Sequence, residues 1–73
     1  MDYKDKRLQK LGKNIAKVRK AKNLSQNALA DLLDISREHL AKIETAKRGI
    51  SFQLFLRLCD VLSVKPHKLL EFD

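Results

Sequence analysis

Apolar residues recur along this chain at steps of three and four, and nowhere do they alternate with polar residues over the length of a strand. With only two glycines and one proline to interrupt it, the pattern predicts an all-α fold. Its most informative feature is one arrangement used three times: an apolar residue, a serine, three intervening residues and a second apolar residue. It occurs as Leu24-Ser25 to Leu29, Ile35-Ser36 to Leu40 and Ile50-Ser51 to Phe55. A serine at the residue before a helix accepts a hydrogen bond from an unpaired first-turn amide, and the flanking apolar pair closes over it as a hydrophobic staple. Each copy therefore predicts a helix start.

Ahead of Ser25, Leu8, Leu11, Ile15 and Val18 fall on one helical face, with Lys6, Lys10, Lys13, Lys17 and Lys20 opposite. Asn23 suits the end of this helix, because its short side chain tolerates the left-handed conformation. After Ser51, Leu54, Phe55, Leu58, Val61 and Leu62 form one stripe, and Phe52, Leu56 and Cys59 form a second. Pro66 is well placed to open a last short helix carrying Leu69, Leu70 and Phe72. The predicted elements are helix 1 at about 6–22, helix 2 at about 26–33, helix 3 at about 37–45, helix 4 at about 52–62 and helix 5 at about 66–71. They share one core spanning about residues 8–72, a compact five-helix domain with no linker.

Only Asp34, Ile35 and Ser36 separate helices 2 and 3, so the two must cross steeply, as in a helix-turn-helix. On helix 3, Leu40 and Ile43 point inwards. The opposite face shows Glu38, Lys42 and Thr45, flanked by Arg37 and Ala41. A short polar helix of this kind fits the major groove of DNA, with its N-terminal residues nearest the base edges.

Length and charge sharpen this picture. At 73 residues the chain holds one small domain, and with a single cysteine, Cys59, it closes no internal disulfide, which favours a dimer. Cys59, His39 and His67 have no metal-ligand spacing, so no metal, cofactor or small-molecule ligand is expected. Sixteen Lys and Arg against nine Asp and Glu leave a net charge of +7, which points to a polyanionic partner, nucleic acid or an anionic membrane. Helix 1 argues against the membrane, because its apolar face is needed for the core and carries no tryptophan anchor. No apolar run reaches about 18 residues and no signal-peptide core follows the charged start, so a soluble, cytoplasmic protein is expected. The opening Asp2-Tyr3-Lys4-Asp5 is similar to the start of an epitope tag without its acidic run; it is read as native and without information on the fold.

At Gly12-x-x-Ile15-x-x-Val18-Arg19, Leu24-Ser25-Gln26-x-x-Leu29-Ala30, Ile35-Ser36, Ile43-Glu44 and Leu62-x-Val64 with Leu69, the sequence resembles the phage Cro and repressor type of helix-turn-helix domain, the xenobiotic-response-element family. The resemblance runs from about Leu11 to Leu70. It departs from the family at Asp34, where glycine is usual in the turn, and at Ala28, where an acid is usual. It departs also at Ala46, the site of a usual glycine, which here is displaced to Gly49, leaving the path of the following loop open.

The resemblance implies a lambda-repressor-like fold and, at matching positions, a set of roles. Arg37, Glu38 and Lys42 are the implied base readers: Arg37 suits guanine O6 and N7, and Glu38 suits cytosine N4. Glu38 and Lys42 are equally an i,i+4 pair that supports the helix by about 0.3 kcal/mol without DNA. Gln26 is either a phosphate contact beside the helix-2 amides or an ordinary first-turn glutamine. Lys47 and Arg48, with Ser51 and Gln53, are the implied phosphate contacts across the groove, and the helix 1 lysines a solvated face that steers association. Arg19 and Glu44 are the implied ion pair between helices 1 and 3. Phe52, Leu56, Cys59 and Leu70 offer apolar surface for a homodimer on a dyad-symmetric operator. Catalysis is disfavoured, because no nucleophile, base or phosphate loop is assembled in the sequence. The competing reading is a protein-interaction module, such as half of an antitoxin or an accessory regulator. A phage-type repressor, a restriction-modification controller and an antitoxin are not distinguished by the sequence.

Overall fold

A computed structural model describes residues 5–72 of the chain. Its elements are α1 (Lys6–Ala21), α2 (Gln26–Leu33), α3 (Arg37–Glu44), α4 (Phe52–Leu62) and α5 (Pro66–Leu69). Ser25, Ser36 and Ser51 each accept a hydrogen bond from the amide three residues on, at 3.0, 3.0 and 3.1 Å. Asp5 does the same work for α1. Its carboxylate accepts from the Arg7 amide at 2.8 Å and pairs with the Arg7 guanidinium, which holds the carboxyl below its usual range. The segment read as carrying no fold information therefore contributes a helix cap at its last residue; Asp2, Tyr3 and Lys4 lie outside the described residues.

The first four helices all end in the same way, on a residue with left-handed backbone and a pair of reversed hydrogen bonds. Leu24 donates to the Arg19 carbonyl, Ile35 to Ala30, Lys47 to Lys42 and Val64 to Cys59, at 2.8–3.1 Å. The left-handed residues are Asn23, Asp34, Ala46 and Ser63, with φ of 60, 58, 60 and 55°, and no glycine has positive φ. Ala46 thus makes the turn itself, and Gly49 does not replace the usual glycine in that role. An L-residue in this conformation costs roughly 1 kcal/mol relative to glycine. Asp34 is exposed, so Asp34→Gly should stabilise the fold by about 0.5–1 kcal/mol, read as a rise in melting temperature of about 3–6 °C. Ala46 buries its methyl group, worth about 0.8 kcal/mol, so the same exchange there should be close to neutral. Unfolding curves of the two variants side by side check both signs.

Every helix contributes to one core. Ile15, Leu29, Leu33, Leu40, Leu58, Leu62 and Leu69 are fully enclosed, one or two from each element. α1 crosses α3 at Gly12, where a Cβ would stand 2.5 Å from the Glu44 carbonyl oxygen and 2.7 Å from that of Ile43. The side-chain amide of Asn14 donates to the carbonyls of Leu69 at 2.9 Å and Glu71 at 3.2 Å, tying the C-terminal end to α1. α5 stops at Leu69 instead of running to 71, and these bonds satisfy carbonyls at and beyond its last residue. α3 likewise stops at Glu44, and the Thr45 hydroxyl donates to the Ala41 carbonyl at 2.8 Å.

Helix periodicity puts Cys59 on a stripe with Phe52 and Leu56, but the structure divides that stripe. Phe52 and Leu56 are exposed, whereas Cys59 is packed into the core beside Leu58 and Leu62, so it offers no surface to a second copy. Cys59 and Leu69 of α5 belong to the same enclosed core cluster, so only the earlier turn of the stripe, Phe52 and Leu56, remains open. Burial also pushes the Cys59 thiol up, with Asp60 adding to the effect, away from reactive thiolate chemistry.

Candidate nucleic-acid interface

The turn between α2 and α3 is built from the Asp34 cap, the Ile35 side chain packed on the core and the Ser36 cap. Leu40 and Ile43 then anchor α3, and their burial turns Arg37, Glu38, Lys42 and Thr45 outwards together. Glu38 and Lys42 lie 3.4 Å apart as an exposed pair. Among the described residues no carboxylate pairs with Arg37, whose guanidinium stands at the N-terminal end of the face.

Past α3 the chain folds back: the amides of Lys47 and Arg48 both donate to the Lys42 carbonyl, at 2.8 and 3.2 Å. Two exposed cations are thereby fixed at the C-terminal end of the same helix. Ser51 and Gln53 follow at the exposed start of α4; the Ser51 hydroxyl oxygen accepts from the Leu54 amide, which leaves its O–H to donate.

Gln26 has a role that neither sequence alternative contains. Its side-chain N–H donates to Glu44 Oε1 at 2.9 Å, and Glu44 in turn receives the Arg19 guanidinium at 2.7 Å from Nε and 3.1 Å from the terminal nitrogen. A further Arg19 N–H donates to the Leu24 carbonyl at 2.9 Å. Arg19 and Glu44 are buried, and among the described residues no buried side-chain polar atom lacks a partner. This cluster ties the end of α1, the start of α2 and the end of α3 together. Gln26 is thus held at the α2 N-terminus with one N–H still to donate. Its partner lies 18 positions away, so only the i,i+18 distance to an already suspected Glu44 could have indicated it.

His39 lies in the first turn of α3. It is half-buried on the flank of α3, and desolvation, then Arg48 and Lys42, push its imidazole below the usual histidine range.

Away from α3, Phe52 and Leu70 line an apolar groove with Leu11, Ile50 and Phe55, and Leu56 is exposed one turn further along α4. Of the four residues read as dimer surface, then, three are accessible. Among the described residues, no helix is long and apolar enough to cross a membrane and no cluster of side chains could hold a metal ion.

Comparison with known proteins agrees with this fold. The family model described as Helix-turn-helix matches residues 15–69. The restriction-modification controller protein C.AhdI from Aeromonas hydrophila is similar in structure, with a TM-score of 0.81 and 34% identity over 85% of this chain and 94% of that one. The clp gene regulator ClgR from Corynebacterium glutamicum shares the fold, with TM-scores of 0.80 and 0.82 at 22% identity, covering 85% of this chain and 80% or 66% of the two ClgR chains. No curated protein matches the sequence.

Proposed function

The chain belongs to the Helix-turn-helix family of DNA-binding regulators, in its xenobiotic-response-element branch, and we propose that it is a sequence-specific transcriptional regulator that reads the major groove with α3 as a homodimer. The observation that carries this reading is the outward face of α3, where Arg37, Glu38 and Lys42 stand together with the Lys47–Arg48 loop folded against its end. Arg37 presents an uncommitted planar donor fork suited to guanine, while Lys47 and Arg48 suit phosphates and Gln26 adds a neutral phosphate contact from α2. The likeness to C.AhdI favours a restriction-modification controller over a phage repressor or an antitoxin half. The protein acts without a metal or cofactor, in the cytoplasm, on a dyad-symmetric site.

The dimer rests on Phe52, Leu56 and Leu70, whose exposure at 74, 40 and 45% is hard to reconcile with a solvated surface. Two α3 helices related by such a contact meet half-sites about one helical turn apart. Selection of bound sites from a random duplex pool tests this directly. A selected site without dyad symmetry, with one protomer per site in ultracentrifugation, would remove the dimer.

Reading and positioning separate by mutation. Arg37→Ala should lose about 1–3 kcal/mol of discrimination at one base pair, whereas Lys47→Ala should weaken all sequences alike and lower the slope of log affinity against log salt by about 1 per protomer. Gln26→Ala should weaken binding with the slope unchanged, because a neutral amide releases no counterion. Equal slope changes for Lys47→Ala and Gln26→Ala contradict this division. An affinity for duplex that does not respond to salt favours the interaction-module reading.

A further inference from the structure

We propose that the cleft between the later half of α1 and the α5 region docks an acidic segment of another protein, one that carries an apolar side chain between carboxylates, on the side of α1 turned away from α3. The inference goes beyond the DNA-binding reading and does not depend on it.

The cleft has a volume of about 310 Å³, at the small end of the range for binding sites. Its floor is apolar, made by Val18 and Ala21 of α1 and by Val64 ahead of α5. Val18 and Val64 are packed against the core, which holds this floor in place. Around it stand the exposed cations Lys17, Lys22 and Lys68. Lys68 pairs with Glu71 at 3.5 Å, whereas among the described residues Lys17 and Lys22 make no ion pair. Helical spacing sets Val18 and Ala21 between those two lysines. Asn14 lines the same cleft, and its side-chain N–H groups donate to the carbonyls of Leu69 and Glu71. The amide is thereby fixed, and its oxygen is left to accept from a partner's backbone.

Charge selects the class of occupant. α1 contains no aspartate or glutamate between Lys6 and Ala21, and Lys13 and Lys17 form a like-charge i,i+4 pair that an anionic partner relieves. A phosphate backbone would match the lysines but leave the valine floor unfilled. A bilayer surface is flat and does not enter a cleft. An acidic protein segment with one apolar side chain matches both features.

The cleft is also separate from the groove-facing surface. α1 presents Gly12 and Arg19 to α3, and Asn14, Lys17 and Ala21 lie about half a turn round the helix from Gly12. A docked segment and a duplex on α3 therefore occupy opposite sides of α1, and the chain can hold both together.

The test titrates the full chain into a labelled peptide of about twelve residues, rich in aspartate and glutamate with one central leucine, at about 0.1 M salt. Micromolar binding is expected, with the amide resonances of Val18, Ala21 and Val64 moving and those of α3 unmoved. Replacing the peptide's leucine by serine should weaken binding about tenfold. Lys17→Gln with Lys22→Gln should weaken it about fivefold, whereas Lys6→Gln with Lys13→Gln, the same change of charge away from the cleft, should cost less than about twofold. Saturating peptide should leave operator affinity within about twofold of its value alone. Equal losses for the two double variants, or equal binding of the leucine and serine peptides, reduce the effect to long-range attraction and overturn the inference. So does displacement of the peptide by operator, or a random duplex or phosphatidylserine vesicle whose binding needs Lys17 and Lys22 when the peptide's does not. A chain that binds the peptide in this way but no duplex overturns the DNA-binding reading and leaves this inference standing.

Discussion

Alanine at position 12 should destabilise the protein by about 2–3 kcal/mol, although alanine is the better helix former. Mid-helix Gly→Ala exchange ordinarily gains about 1 kcal/mol. Here the added Cβ would lie 2.5 and 2.7 Å from two carbonyl oxygens of α3, well inside van der Waals contact. Those oxygens are backbone, so they cannot swing aside as a flexible side chain could. Relief requires α3 to move off α1, which also strains the Arg19–Glu44 contact anchored at the same turn. Overpacking of this kind costs about 1–3 kcal/mol and occasionally more, and a clash between two main chains belongs at the upper end, which outweighs the gain in propensity. At 0.05–0.15 kcal/mol per residue a domain of this size has roughly 4–11 kcal/mol to lose. Gly12→Ala should therefore lower the melting temperature by about 10–20 °C, while Lys13→Ala, on the exposed side of α1, should leave it nearly unchanged. Equal melting temperatures for Gly12→Ala and the parent protein would show that α1 and α3 do not approach as closely as described.

What could be read from the sequence is what depends on neighbours in the chain. A serine cap and its staple involve residues within five positions of each other, so Ser25, Ser36 and Ser51 announce three helix starts unaided. The left-handed turn at Asn23 was legible from side-chain chemistry, and that at Asp34 from the glycine usual there in the family it resembles. Those at Ala46 and Ser63 were not, because neither residue prefers the conformation and the packing of Ile43 or Leu62 beside them imposes it. Cys59 shows the limit of periodicity: a stripe can be counted along α4, but tertiary packing decides which part of it is covered. The site divides in the same way. Arg37, Glu38 and Lys42 share a face by helix geometry alone, whereas the bonds of Gln26 to Glu44 and of Asn14 to Leu69 join residues 18 and 55 positions apart and belong to the tertiary structure.

The Arg19–Glu44–Gln26 cluster should be the most sensitive point in the fold to single substitution and a tolerant one to double substitution. Glu44→Ala removes the acceptor of two Arg19 N–H groups and of the Gln26 amide at once, and leaves the guanidinium 7% exposed with only the Leu24 carbonyl to bond. Stranding a buried charge costs about 3–5 kcal/mol, most of what a domain of this size has, so the variant should be largely unfolded at 37 °C. Replacing both charges, Arg19→Met with Glu44→Leu, removes the desolvation penalty together with the attraction and should cost much less than Glu44→Ala alone. The cluster would then matter less for net stability than for what it positions. In the double variant Gln26 has no acceptor to hold it at the α2 N-terminus, so the folded protein should bind its operator more weakly with the salt slope unchanged. Urea unfolding of the three variants, Arg19→Met, Glu44→Leu and the pair, gives the coupling energy. Additive losses would mean that Arg19 and Glu44 stabilise α1 and α3 separately, and full operator affinity in the double variant would remove Gln26 from the phosphate contacts.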